Sequence, residues 1–178
     1  MKRREMLVST GVAVLGLSSF PLRCEADGSQ APGRSGAFRA GAHAQDITPD
    51  WFPVVVNGGF KPRYAEKALD PLHARCLVLD DGAGQLAMVV VDSCVLDRAV
   101  IDQAKEKAHQ LTGIPTERMF VSATHTHSAP AVVGVLGTDP DERYRAWLPG
   151  KIAEGIRKAQ QNLAPAQIGV NGPIEVCN

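Results

Sequence analysis

An α/β fold on a mixed sheet follows from three features of this 178-residue chain. Two apolar runs, residues 72–79 and 86–91, flank the turn-forming segment Asp80-Asp81-Gly82-Ala83-Gly84-Gln85, which is the pattern of an antiparallel hairpin. Val100, Ile101, Ala104, Ala108 and Leu111 recur at helical spacing over residues 98–112, while Asp102, Lys105, Glu106 and Lys107 take the other face. The apolar run at residues 119–124 follows, so the stretch from Val89 to Phe120 reads as strand–helix–strand. Such a unit pairs its strands in parallel through a right-handed crossover. A hairpin joined to a parallel pair makes the sheet mixed.

The remaining elements fall in order. Lys2-Arg3-Arg4 precedes an apolar stretch at residues 6–17 that is too short to span a bilayer. The paired arginines before Glu5-Met6-Leu7 resemble a twin-arginine signal, used to export proteins already folded. Residues 1–26 are therefore expected to be an export signal peptide, with Cys24-Glu25-Ala26 as the cleavage site and a periplasmic or secreted destination. An uncleaved leader is the alternative. Leu22-Arg23-Cys24 lacks the small residues that precede a lipidated cysteine. Residues 27–36 are Gly, Ser, Pro, Gln and Arg with one Ala and one Asp, a flexible linker. Residues 37–178 form the folded part, enough for one core.

Within it, residues 38–47 alternate loosely as a first strand closed by Thr48-Pro49-Asp50. Val54-Val55-Val56 is a short apolar run broken by Asn57-Gly58-Gly59, and the charged residues 60–70 read as loop. Val89-Val90-Val91 reads as a strand buried on both faces. Asp97 suits the N-cap of the first helix and Gly113 its end, with Pro115 beyond. A second helix covers residues 141–163, kinked or split at Pro149-Gly150. Residues 166–170 are expected to be a last strand. There is no internal repeat.

Charge excludes one class of partner. With 19 basic and 19 acidic residues the chain is formally neutral, and no basic patch carries interleaved aromatics, so nucleic acid is not expected as a ligand. Cys76, Cys94 and Cys177 lack the C-x-x-C spacing of a zinc site. Cys76 and Cys94 lie in apolar runs and read as small buried hydrophobes. Export would permit a disulfide, but the spacing does not indicate one.

The chemistry concentrates in Ser122-Ala123-Thr124-His125-Thr126-His127-Ser128-Ala129-Pro130, after the apolar run Met119-Phe120-Val121. In extended backbone, residues i and i+2 face the same way, so His125 and His127 can aim both imidazoles into one space. Neutral imidazole is a good zinc ligand. The plainer alternative is a hydrogen-bonded pair at the rim of the sheet, without metal. Asp92 ends the run Val89-Val90-Val91; if the two strands are neighbours it can orient a histidine from behind. Its alternative is a turn or a cap of the following helix. His43 and His73 read as satisfied strand residues and His109 as solvent-exposed.

Several segments together resemble the N-terminal part of the neutral/alkaline non-lysosomal ceramidases and their bacterial relatives. They are Ala40-Gly41 and His43 through Asp46-Ile47-Thr48-Pro49, Asp70-Pro71-Leu72-His73-Ala74-Arg75-Cys76-Leu77-Val78-Leu79-Asp80, Val89-Val90-Val91-Asp92, and above all Thr124-His125-Thr126-His127-Ser128-Ala129-Pro130. The family motif has Gly where Ala129 stands. The resemblance implies the N-terminal portion of a larger catalytic domain. It also implies a Zn2+-dependent hydrolase of the N-acyl bond of a lipid or other small-molecule amide, with contact to a membrane surface. By the same resemblance His125 is a zinc ligand and His127 lies in the same site, while the other ligands and the nucleophilic serine fall beyond Asn178. On that reading the sequence is cut short, and two histidines alone hold metal weakly. The competing reading is an exported, non-catalytic metal- or partner-binding module or inactive fragment. A (β/α)8 barrel needs roughly 200 residues or more, and a metallo-β-lactamase motif would continue with Asp and His where Ser128-Ala129-Pro130 stands.

Overall fold

The computed structural model describes residues 37–135 and 137–169. The expected export segment, the linker and Cys177 lie outside the described residues. The elements are β1 (Arg39–Asp46), β2 (Val54–Val56), β3 (Arg63–Ala65), β4 (His73–Asp80), β5 (Gln85–Val91), α1 (Arg98–Thr112), a single 3-10 turn (Thr116–Arg118), β6 (Met119–Ala123), α2 (Glu142–Gln161) and β7 (Ala164–Pro165). Five strands form one mixed sheet in the order β6-β5-β4-β1-β7, and β2 pairs with β3 apart from it. The hairpin forms as expected, with Ala74 opposite Val91 and Asp80 opposite Gln85. The strand–helix–strand unit also forms: β5 and β6 run parallel, Ala87 beside Met119 and Val91 beside Ala123. No helix among the described residues is long and apolar enough to cross a membrane.

Burial alternates along β4 and β5, so the sheet is covered on one face. Ala87, Val89 and Val91 sit under the helices, while Val90 and Leu86 are each 41% exposed and Phe120 is 62% exposed. The expectation that Val89-Val90-Val91 is buried on both faces is thus corrected, because an apolar run does not reveal how many layers cover it. The core joins Val78, Val89 and Val91 from the sheet with Val100, Ala104 and Ala108 from α1 and Leu148, Ile152 and Ile156 from α2. Cys76 lies in this core, and burial pushes its thiol up to about 12, which leaves it inert.

Three further expectations are corrected. Arg63–Ala65 is a strand, not loop, pairing Val56 with Arg63 and Val54 with Ala65. Backbone pairing at an edge needs no apolar pattern, so charge concealed it. The second helix is not split at Pro149-Gly150 but runs as one helix through them. The Pro149 ring is buried, and tertiary packing holds the helix across the missing hydrogen bond. The last strand is Ala164–Pro165 rather than 166–170, pairing with Arg39 and Ala40 of β1.

Asp97 fastens the two helices together. Its Oδ1 accepts the Val100 N–H at 2.9 Å as the N-cap of α1, and its Oδ2 accepts Arg145 Nη2 of α2 at 2.5 Å. Burial disfavours the charged form, but the Val100 N–H and the Arg145 guanidinium outweigh it and hold the carboxyl below its ordinary 3.8. Asp97→Ala is expected to cost about 1–2 kcal/mol, the loss of a cap with its ion pair. A depressed pKa contributes stability above the unfolded value, and that contribution is lost as pH falls through the folded one. The gap between wild type and Asp97→Ala in urea midpoint should therefore be full at neutral pH and shrink below about pH 4. A gap that persists at low pH would rule out the charge as its source.

Candidate metal centre at the end of the parallel strands

The parallel strands β5 and β6 end side by side, and the ladder runs one residue further through the Thr124 N–H to the Val91 carbonyl at 2.9 Å. The chain then leaves extended geometry. His125 has φ 62, in the left-handed region that non-glycine residues seldom occupy. The two imidazoles do converge, as the His-x-His spacing suggested, but through this kink rather than through strand alternation. Their ring centroids are 5.0 Å apart, and His127 Nε2 lies 3.4 Å from His125 Nε2. Both residues are exposed at the rim of the sheet.

Cys94 completes the group. Its thiol is buried and free, and the candidate ligand atoms of Cys94, His125 and His127 all lie within 4.8 Å of one another. Its carbonyl oxygen is 2.8 Å from His125 Nδ1. With the proton on Nδ1 donated to that carbonyl, His125 presents the lone pair of Nε2, the arrangement that orients a metal-binding imidazole. The spacing suits an ion: two ligands at about 2.0–2.1 Å on one tetrahedral centre stand about 3.3–3.4 Å apart. A thiol and two imidazoles are donors that a zinc-like ion accepts. This Cys/His/His group can hold a metal ion.

Reading Cys94 from sequence as a small buried hydrophobe is right about its burial, but its nearness to the histidines depends on strand register, which no local signal carries. The β5–β6 register pairs residue i with i+32, and three residues past Val91 and Ala123 it brings Cys94 level with Thr126, between the two histidines.

Asp92, the first residue past β5, follows the strand that pairs with β6 and lines the same cavity as His127. Its carboxylate reaches across to β4, where Oδ2 accepts the His73 N–H at 2.9 Å and Oδ1 accepts Arg75 Nη1 at 2.7 Å. Burial opposes its ionisation, but Arg75 and the His73 N–H prevail, so its carboxyl titrates below the usual range. Asp92 does not cap the helix; Asp97 does. His43 and His73 are half-buried strand residues away from the metal group, and exposed His109 sets Nδ1 2.9 Å from the Ile114 carbonyl.

A cavity of about 620 Å3 opens beside His127. Phe52, Val54 and Leu72 give it apolar wall, and Tyr64, Asp92 and His127 give it polar groups. That volume and that mixture are usual for a small-molecule site. Part of its wall is built by the β2–β3 hairpin, the strand pair that the charged composition of residues 60–70 had hidden.

No family profile matches the chain, and no curated protein matches it. Solved structures do. Neutral ceramidase from Pseudomonas aeruginosa matches with a TM-score of 0.63 and 23% identity, over 72% of this chain and 22% of its own. A ceramidase solved in complex with C2 matches with a TM-score of 0.56 at the same identity and coverage. The chain spans 22% of the length of each of these structures. Its mixed sheet and paired helices therefore have the fold of the matched part of neutral ceramidase.

Proposed function

We propose that the chain carries part of the active site of a zinc-dependent, ceramidase-like hydrolase that cleaves an N-acyl amide bond in an exported protein. The observation that carries this reading is the convergence of Cys94, His125 and His127, with His127 also lining the cavity. Likeness in fold to neutral ceramidase supports the choice of reaction. His125 and His127 would hold the ion, with Cys94 as a third ligand. Zinc in such a site supplies a Lewis acid for the amide carbonyl and a bound water of lowered pKa. The apolar wall of Phe52, Val54 and Leu72 suits an acyl chain, and binding a lipid amide there implies access from a membrane surface. Asp92, kept anionic by Arg75, puts a fixed negative charge in the cavity wall. Its two oxygens are engaged by the His73 N–H and Arg75, so the group that orients His125 is the Cys94 carbonyl.

A second reading is a metal-holding module without catalysis. The donor set favours it, since a thiol and two imidazoles can bind zinc for structure as well as for chemistry. The two readings part in an assay of the zinc-loaded chain on fluorescent ceramide and on a simple N-acyl amide. Little or no turnover is expected from this chain alone, which spans 22% of the matched enzymes. Chelator-sensitive release of the acyl group by a version extended to their length, absent in His125→Ala, selects hydrolysis. Tight zinc binding by that extended version without turnover selects the module. Turnover indifferent to both chelator and His125→Ala would remove the metal reading.

A further inference from the structure

His127 is gripped from the β2–β3 hairpin. Arg63, the first residue of β3, donates from Nη2 to the His127 carbonyl at 2.7 Å and to the Asn57 carbonyl at 2.9 Å. One guanidinium thus ties the histidine loop to the loop that follows β2. Beyond it, Gly58 takes φ 97, and a Cβ there would collide with Cβ, Cγ and Nδ1 of His127, so the imidazole rests on bare main chain. That loop is itself anchored: Asn57 is fully buried and its Nδ2 donates to the Val133 carbonyl at 3.2 Å, on the other side of the motif. Ala131 N–H also donates to the Val55 carbonyl at 2.7 Å. The exposed His127 therefore owes its place to contacts that sequence spacing does not supply.

We propose that Arg63 is a positioning residue that fixes His127 opposite His125. The consequence for metal affinity rests on the reading that these histidines hold zinc. The sign of the effect separates positioning from charge. A guanidinium beside a dication repels it, so if charge alone mattered, removing Arg63 would tighten metal binding. A lost clamp loosens it instead, because His127 must then be ordered at the moment of binding.

The test compares wild type, Arg63→Ala and Arg63→Lys, with Arg98→Ala as a control for loss of a surface cation. Zinc affinity is measured by competition with a chromogenic chelator. In metal-free protein, the NMR cross-relaxation between His125 and His127 ring protons reports their proximity directly. Arg63→Ala is expected to weaken zinc about three- to tenfold, the worth of an ordinary hydrogen bond or two. It should also reduce the ring-to-ring signal, and Arg63→Lys, which can still donate to both carbonyls, should recover most of each. Arg98→Ala should change neither. Zinc binding as tight or tighter in Arg63→Ala, with the ring signal intact, overturns the proposal. If wild type takes up no zinc, the metal reading fails and the ring signal decides the clamp: its loss in Arg63→Ala upholds it and its retention ends it.

Discussion

His125→Ala should lower the chain's affinity for zinc by more than about a hundredfold, since even groups that only orient a ligand are worth about 10–100-fold. The substitution removes one of three converging donors and, with it, the imidazole that the Cys94 carbonyl holds at 2.8 Å. Cys94→Ser should also weaken zinc. Its clearer signature is spectroscopic: cobalt bound to wild type should show a thiolate-to-metal charge-transfer band that the serine variant lacks. The Cys94 carbonyl survives in that variant, so the tautomer of His125 stays set and the change isolates the thiol. Equilibrium competition with a chelator gives the affinities. If wild type and His125→Ala bind zinc alike, the two imidazoles are a hydrogen-bonded pair at the sheet rim and nothing more, the alternative the sequence left open.

The largest effect on stability is expected at Tyr144. Its side chain is fully buried and its hydroxyl donates to the Ile47 carbonyl at 2.9 Å, tying α2 to the residue after β1. Its ring packs beside Trp51 at 6.4 Å and Trp147 at 5.6 Å. Tyr144→Ala should cost about 3–5 kcal/mol, the range for emptying a large aromatic site, a large part of the roughly 5–15 kcal/mol that holds a domain together. Tyr144→Phe keeps the ring and should cost about 1–2 kcal/mol, because the Ile47 carbonyl is left without its donor. Urea midpoints measure both. A Tyr144→Ala variant within about 1 kcal/mol of wild type would mean that the site collapses freely around the gap. Burial, helped by the charges of Asp92, Asp46 and Asp141, raises the hydroxyl's pKa in the fold. The sign follows: the neutral form contributes stability below the unfolded value of about 10, and that contribution is lost as pH rises above it. The advantage of wild type over Tyr144→Phe should therefore narrow in strong alkali.

Which parts of the molecule were legible depends on the range of the interaction that makes them. The hairpin of β4 and β5 is announced by its turn, where Asp80 accepts the Gly82 N–H at 2.8 Å and Gly82 takes φ 81. Helix α1 carries both its signals locally, Asp97 at one end and Gly113 with φ 73 at the other. The histidine motif is legible because two candidate ligands lie two residues apart. By contrast, Arg63–Ala65 became a strand only because β2 offers it a partner, and Pro149 stayed within α2 only because packing outweighed the lost hydrogen bond.

Local signals suffice for an α/β chain with a hairpin, a strand–helix–strand unit and a His-x-His pair where a strand ends, because turns, caps and periodicity act within a few residues. Which residues share the site is set by long-range pairing. Cys94 meets the histidines because β5 and β6 pair in parallel with an offset of 32, and Arg63 reaches the His127 carbonyl from 64 residues away. Contacts over that span depend on strand order and register, which a long loop or helix between the partners leaves free until the sheet assembles.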